Sequence, residues 1–148
     1  FTYGVRSSFS FRSGRGPFQV STSVGNDVTD SAIREIMAEL VTMADGGPTD
    51  AEVAAARDYA AGIFGLQLET VGQIATRLSQ LIVYGIPATY FDEYRDSVRG
   101  VTTQSAAEAA AGHIKPNEVQ VVLVGDADVV GSSVEKLGLG PVEVIAPA

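Results

Sequence analysis

The stretch Thr2-Tyr3-Gly4-Val5-Arg6-Ser7-Ser8-Phe9-Ser10-Phe11-Arg12 decides the fold class, together with Phe18-Gln19-Val20-Ser21-Thr22-Ser23-Val24 after it. Tyr3, Val5, Ser7, Phe9 and Phe11 alternate with Gly4, Arg6, Ser8, Ser10 and Arg12, the period of a half-buried strand. In the second stretch Phe18, Val20, Thr22 and Val24 alternate with Gln19, Ser21, Ser23 and Gly25. Ser13-Gly14-Arg15-Gly16-Pro17 lies between them and reads as a turn. The spacing predicts an antiparallel hairpin with one greasy face and one hydroxyl-rich face.

The pattern then changes period. Ile33, Ile36, Met37, Leu40 and Val41 keep helical spacing behind a candidate N-cap at Thr29 or Asp30, and Asp45-Gly46-Gly47-Pro48 closes that helix. Thr49-Asp50-Ala51-Glu52 has the form of a capping box and opens a helix bearing Val53, Ala56, Ala60, Ile63 and Phe64. A third helix is expected from about Thr70 to Gly85-Ile86-Pro87, and a fourth over about 88–98. Thr102 caps an Ala-rich fifth helix ending near His113, and Lys115-Pro116-Asn117 turns the chain. Residues 119–124 are apolar except Gln120 and read as a central buried strand. A short helix follows Gly125-Asp126-Ala127 and ends at Leu137-Gly138; residues 141–145 read as a last edge strand. The order strand–strand–helices–strand–helix–strand predicts α+β, a mostly antiparallel sheet with helices packed on one face.

With 148 residues and 45% hydrophobic content, the chain has the size of one domain. No apolar run approaches the ~20 residues of a membrane-spanning helix. The absence of cysteine removes disulfides, thiol nucleophiles and cysteine zinc sites. The net charge of −8 disfavours nucleic acid as a partner. That charge is uneven. Residues 1–26 hold Arg6, Arg12 and Arg15 and no acid, so the remainder, with 7 basic and 18 acidic residues, carries −11. The imbalance fits a sheet region poor in acids, or a basic strand surface that meets an anionic partner.

Few residues could carry chemistry. His113, the single histidine, stands at a predicted helix end, so neither H-E-x-x-H nor H-x-x-E-H can occur in this chain. Glu35/Glu39 and Asp92/Asp96 lie one helical turn apart and read as solvated pairs, with Arg34 and Arg95 as surface partners. Gly14-x-Gly16 and Gly138-x-Gly140 lack the spacing of a phosphate loop, and Val124-Gly125-Asp126 reads as a connection. Serines 7, 8, 10, 21 and 23 read as the wet face of the hairpin.

Several stretches, in order, carry a resemblance. Phe1-Thr2-Tyr3-Gly4-Val5-Arg6-Ser7-Ser8 is similar to the "GLTYGV" strand of the pitrilysin/insulinase zinc peptidases, relatives of mitochondrial processing peptidase. Thr49-Asp50-Ala51-Glu52-Val53-Ala54-Ala55-Ala56-Arg57 resembles that family's "T-x-E-E-L-x-x-A-K/R". Leu68-Glu69-Thr70, Tyr84-Gly85-Ile86-Pro87, Tyr90-Phe91 and Val122-Leu123-Val124-Gly125-Asp126 continue the likeness over nearly the whole chain.

The resemblance implies the two-layer α+β unit of the LuxS/processing-peptidase-like metallohydrolase fold. It implies that 1–148 is a single C-terminal domain lacking its first strand and helix, expected upstream of Phe1. In that family a non-catalytic half binds peptide opposite a zinc-bearing half. The expected function is therefore a non-catalytic domain for peptide binding and assembly, in a dimer with a zinc-bearing peptidase subunit or half. The resemblance implies Tyr3 as substrate-binding for a polypeptide, with the family's arginine partner expected before residue 1, and no catalytic or metal-ligating residue here; Arg6, on the same strand, is a further substrate-binding candidate. No cofactor is expected in this segment, and Zn is expected in the partner subunit or an upstream domain. A periplasmic location is favoured over a cytoplasmic one. Three other readings stay open: a scaffold domain without a proteolytic role, the end of a catalytic subunit whose zinc motif lies upstream, and a small-ligand module at Gly125-Asp126. One point is unresolved: Tyr3 shares the parity of Val5 and Phe9, so either the strand bends at Gly4 or Tyr3 is a core-edge residue.

Overall fold

The computed structural model describes residues 2–12 and 14–145, with side chains described from residue 4 onward. The hairpin forms. Strand β1 (Thr2–Phe9) pairs antiparallel with β2 (Phe18–Val24), and these two make the described sheet. Phe9 opposes Phe18 with ring centroids 4.7 Å apart. Ser10 extends the ladder by one bond, its N–H donating to the Pro17 carbonyl at 2.9 Å. Along β2 the residues Phe18, Val20, Thr22 and Val24 are half-buried, while Gln19, Ser21 and Ser23 are exposed, as alternation requires.

Among the described residues six α-helices follow: α1 (Thr29–Asp45), α2 (Asp50–Leu66), α3 (Val71–Tyr84), α4 (Tyr90–Arg99), α5 (Thr103–His113) and α6 (Ala127–Glu135). The chain is thus α-rich α+β. Helix α1 is the organiser, touching β2, α5 and α6. Helix α2 packs on α4 through an aromatic cluster, in which Phe64 stacks on Tyr94 at 4.5 Å and faces Phe91 at 6.0 Å.

Local sequence explains most helix ends. The expected capping box at Thr49 is complete, with the Glu52 N–H donating to the Thr49 hydroxyl and the Glu52 carboxylate accepting from the Thr49 N–H at 2.8 Å. Thr70 with Gln73, and Thr102 with Ser105, repeat the device on α3 and α5. At the end of α1, Gly47 has φ +71°, and a Cβ there would stand 2.5 Å from that of Ala107. No other residue fits, and the Ala-rich α5 is what lets the α1 terminus approach it. The start of α1 differs from expectation. Neither Thr29 nor Asp30 caps it: a 3-10 turn over Asn26–Val28 precedes the helix, and the buried Thr29 hydroxyl donates to the Gly25 carbonyl at 3.2 Å.

The two later strands are corrected. Residues 119–124 and 141–145 form no strand and join no ladder. Val122 is 85% exposed and Val124 fully so. An apolar run states what a segment needs; whether it is buried depends on its neighbours, and no described strand lies beside either one. Gly125, at the end of the first segment, comes to rest beside Asn26, just past the end of β2.

The core is correspondingly thin. Ile33, Val53, Ala61, Phe64, Leu81, Ala110 and Val130 form it, each still 6–9% exposed. Helix α3 buries Leu81 but leaves Val71, Ile74, Leu78 and Ile82 facing water. The accessible surface is 11289 Å² for 15.4 kDa, whereas a compact monomer of that mass exposes about 7,200 Å². Roughly 4,000 Å² is therefore left open that a closed domain would cover.

The Thr49 hydroxyl, and then its backbone N–H, hold the Glu52 carboxyl below its usual range. A lowered folded value contributes stability above the unfolded pKa and loses it as pH falls through the carboxylate range. The stability difference between the natural chain and Glu52→Gln should therefore shrink on acidification, as followed by denaturant melts at several pH values. Parallel profiles would contradict the box.

Candidate functional site

The site is built on the polar face of the hairpin. Arg6 opposes Ser21, and Ser8 opposes Gln19, in the centre of the ribbon. The Ser10 hydroxyl donates to Gln19 Oε1 at 3.3 Å. Arg6, Arg12 and Arg15 are exposed, and among the described residues the ion pair formed is Arg99 with Asp96 at 3.7 Å, on α4.

The ladder is irregular near Tyr3. Thr2 opposes Val24, and Val5 opposes Thr22, so three steps along β1 match two along β2. This is a β-bulge, and Gly4 takes it up with φ +104°. One extra residue inverts the alternation on its far side. Thr2 takes the register of Val5, and the strand bends at Gly4. Of the two expected site residues, Arg6 is exposed on the polar face, and the Tyr3 side chain lies outside the described residues. An isolated glycine inside a strand pattern is the signal for such a bulge.

The remaining candidates do not converge. His113 is exposed in the last turn of α5. Glu35/Glu39 and Asp92/Asp96 are exposed on α1 and α4. Arg95 is not a carboxylate partner: its guanidinium lies over the Phe64 ring, 5.6 Å from the centroid. Asp126 caps α6, accepting from the Asp128 N–H at 3.0 Å, which makes Gly125-Asp126 a connection. Among the described residues no three His, Asp or Glu side chains gather as a metal site.

A cavity of about 400 Å³ lies between α1, α2 and the α4–α5 link, lined by Met43, Val53, Ala56, Val98 and Val101. The charged groups at its rim are committed elsewhere. Glu52 serves its capping box, and Arg57 donates to the Val101 carbonyl at 2.9 Å. The Arg57 clamp, which ties α2 to the α4–α5 link, has no local sequence signal.

No family model matches this chain. No curated protein matches it either. Among solved structures, the crystal structure of a peptidase M16 inactive domain from Pseudomonas fluorescens superposes with a TM-score of 0.70 over 78% of this chain, at 22% identity. The chain spans 27% of that structure's length. At this identity the likeness shows the fold: the chain has a fold similar to that inactive domain.

A Cβ at Gly4 would meet nothing within 4 Å, so Gly4→Ala tests backbone strain alone. It should cost about 1 kcal/mol and speed amide exchange across β1. Unchanged exchange would mean that the bulge does not need glycine.

Proposed function

We propose that this chain is the non-catalytic C-terminal domain of a zinc-peptidase assembly. It binds polypeptide and joins a zinc-bearing subunit or half, which carries out the hydrolysis. The observation that carries this reading is the fold shared with a peptidase inactive domain. The chemistry of the chain is in keeping with it, since one exposed histidine and scattered carboxylates offer no means of activating water.

In this reading the polar hairpin face forms a wall of the peptide chamber. A phenol at Tyr3 donates a hydrogen bond to a peptide carbonyl or a developing oxyanion, without bringing a permanent charge. Arg6, exposed on the polar face, supplies the charge. The open apolar surface of β1, α3 and residues 119–124 supports a sheet completed by other polypeptide, either a strand and helix upstream of Phe1 or a neighbouring subunit. The periplasm is the proposed location.

Two measurements test this. The chain alone, given Zn²⁺ and unfolded oligopeptides, should neither take up stoichiometric metal nor turn over; sustained cleavage would overturn the proposal. In the assembled enzyme Tyr3→Phe should lower kcat/KM by up to about tenfold, the worth of one hydrogen bond. An unchanged value would remove Tyr3 from the site.

A further inference from the structure

The helices enclose a feature that the peptide-binding reading does not use. The cavity of about 400 Å³ between α1, α2 and the α4–α5 link has the size of a small-ligand pocket. Its walls are apolar: Val53 and Ala56 come from α2, Val98 from α4, Val101 from the link and Met43 from α1. Two charged side chains, Glu52 and Arg57, join them. In a pocket of this kind the apolar walls hold the body of a ligand and the few polar groups fix its orientation.

The two charges are used to different extents. Glu52 Oε2 accepts from the Thr49 N–H at 2.8 Å and from the Thr49 hydroxyl at 2.7 Å, which ties that carboxylate to the start of α2. Arg57 uses one nitrogen. Its Nη1 donates to the Val101 carbonyl at 2.9 Å and to the Arg99 carbonyl at 3.5 Å. Among the described residues Nε and Nη2 make no hydrogen bond, and no carboxylate lies within ion-pair reach of the guanidinium. Nε and Nη2 form one edge of a planar fork, and such an edge holds a carboxylate through two parallel N–H···O bonds. The Nη1 bonds to the backbone keep that fork at the rim of the half-buried position. Glu52 stands five residues earlier, about 7.5 Å along the helix axis at 1.5 Å per residue. An acid in the cavity is thus drawn to the Arg57 end and repelled from the other.

We propose that this cavity binds a small monocarboxylate with a short aliphatic body. The carboxylate sits on Nε and Nη2 of Arg57, and the body lies among Val53, Ala56, Val98 and Val101. The residues of this site belong to the helices and their links, so the proposal stands independently of the peptide-binding reading.

The test is a ligand-observed NMR titration of the full-length protein with butyrate, hexanoate, 1-hexanol and hexylamine. Hexanoate should bind about tenfold or more tighter than 1-hexanol, the worth of a charged hydrogen-bonded pair, and hexylamine more weakly still. Each methylene added from butyrate to hexanoate should tighten binding about threefold to fourfold. Arg57→Gln should bring hexanoate down to the level of hexanol. Ala56→Leu, which fills the cavity and leaves the Arg57 anchor in place, should abolish binding of both. Because Arg57 also ties α2 to the α4–α5 link, its variant is read beside its melting curve, and Ala56→Leu carries the test where Arg57→Gln does not fold. Equal binding of hexanoate and hexanol overturns the carboxylate assignment. Hexanoate binding that survives Ala56→Leu places the acid elsewhere and overturns the site, as does the absence of hexanoate binding to the natural protein.

Discussion

Apolar surface left in water is the constraint on which the rest of this structure depends. The helices satisfy it among themselves only in part. Helix α1 covers one face of β2, and Phe64 of α2 is enclosed by the aromatic side chains of α4. Beyond them, the apolar face of β1, the stripe of α3 and the run at 119–124 lie open. At roughly 25 cal/mol per Å², uncovered apolar area on this scale outweighs any hydrogen bond or cap in the chain. Its distribution is informative. The open surface belongs to the hairpin, to α3 and to residues 119–124.

The same constraint explains the hairpin's two faces. The greasy face is built to be covered, and the hydroxyl-rich face is built to stay wet. The bulge at Gly4 shifts the ladder between Thr2 and Val5, while Val5 and Phe9 stay opposite Thr22 and Phe18. A binding surface is what the hairpin is proposed to contribute. That is the proposed role, and the shared fold of an inactive peptidase domain supports it.

What the sequence makes legible is what is local. The box at Thr49 and Glu52 spans three residues, and the alternation of 18–24 is its own evidence; both appear as read. The stop at Gly47 is legible too, although its tight fit against Ala107 of α5 is not. Three kinds of feature escape. The bulge depends on pairing register, which a single strand does not display. The Arg57 clamp and the Arg95–Phe64 contact join residues 31 or more apart in sequence, so no local pattern marks them. Residues 119–124 announce burial, but burial is conferred by neighbours that the described residues do not include. The site follows the same rule. Arg6 is legible as a basic residue on a polar strand face, while the bulge beside it is a property of the ladder.

Calorimetry of a polypeptide limited to residues 1–148, with its dispersity followed by sedimentation, tests most directly whether this unit needs a cover. The account predicts self-association, or a broad unfolding without a cooperative peak. A monodisperse monomer that melts in one sharp cooperative transition would contradict it.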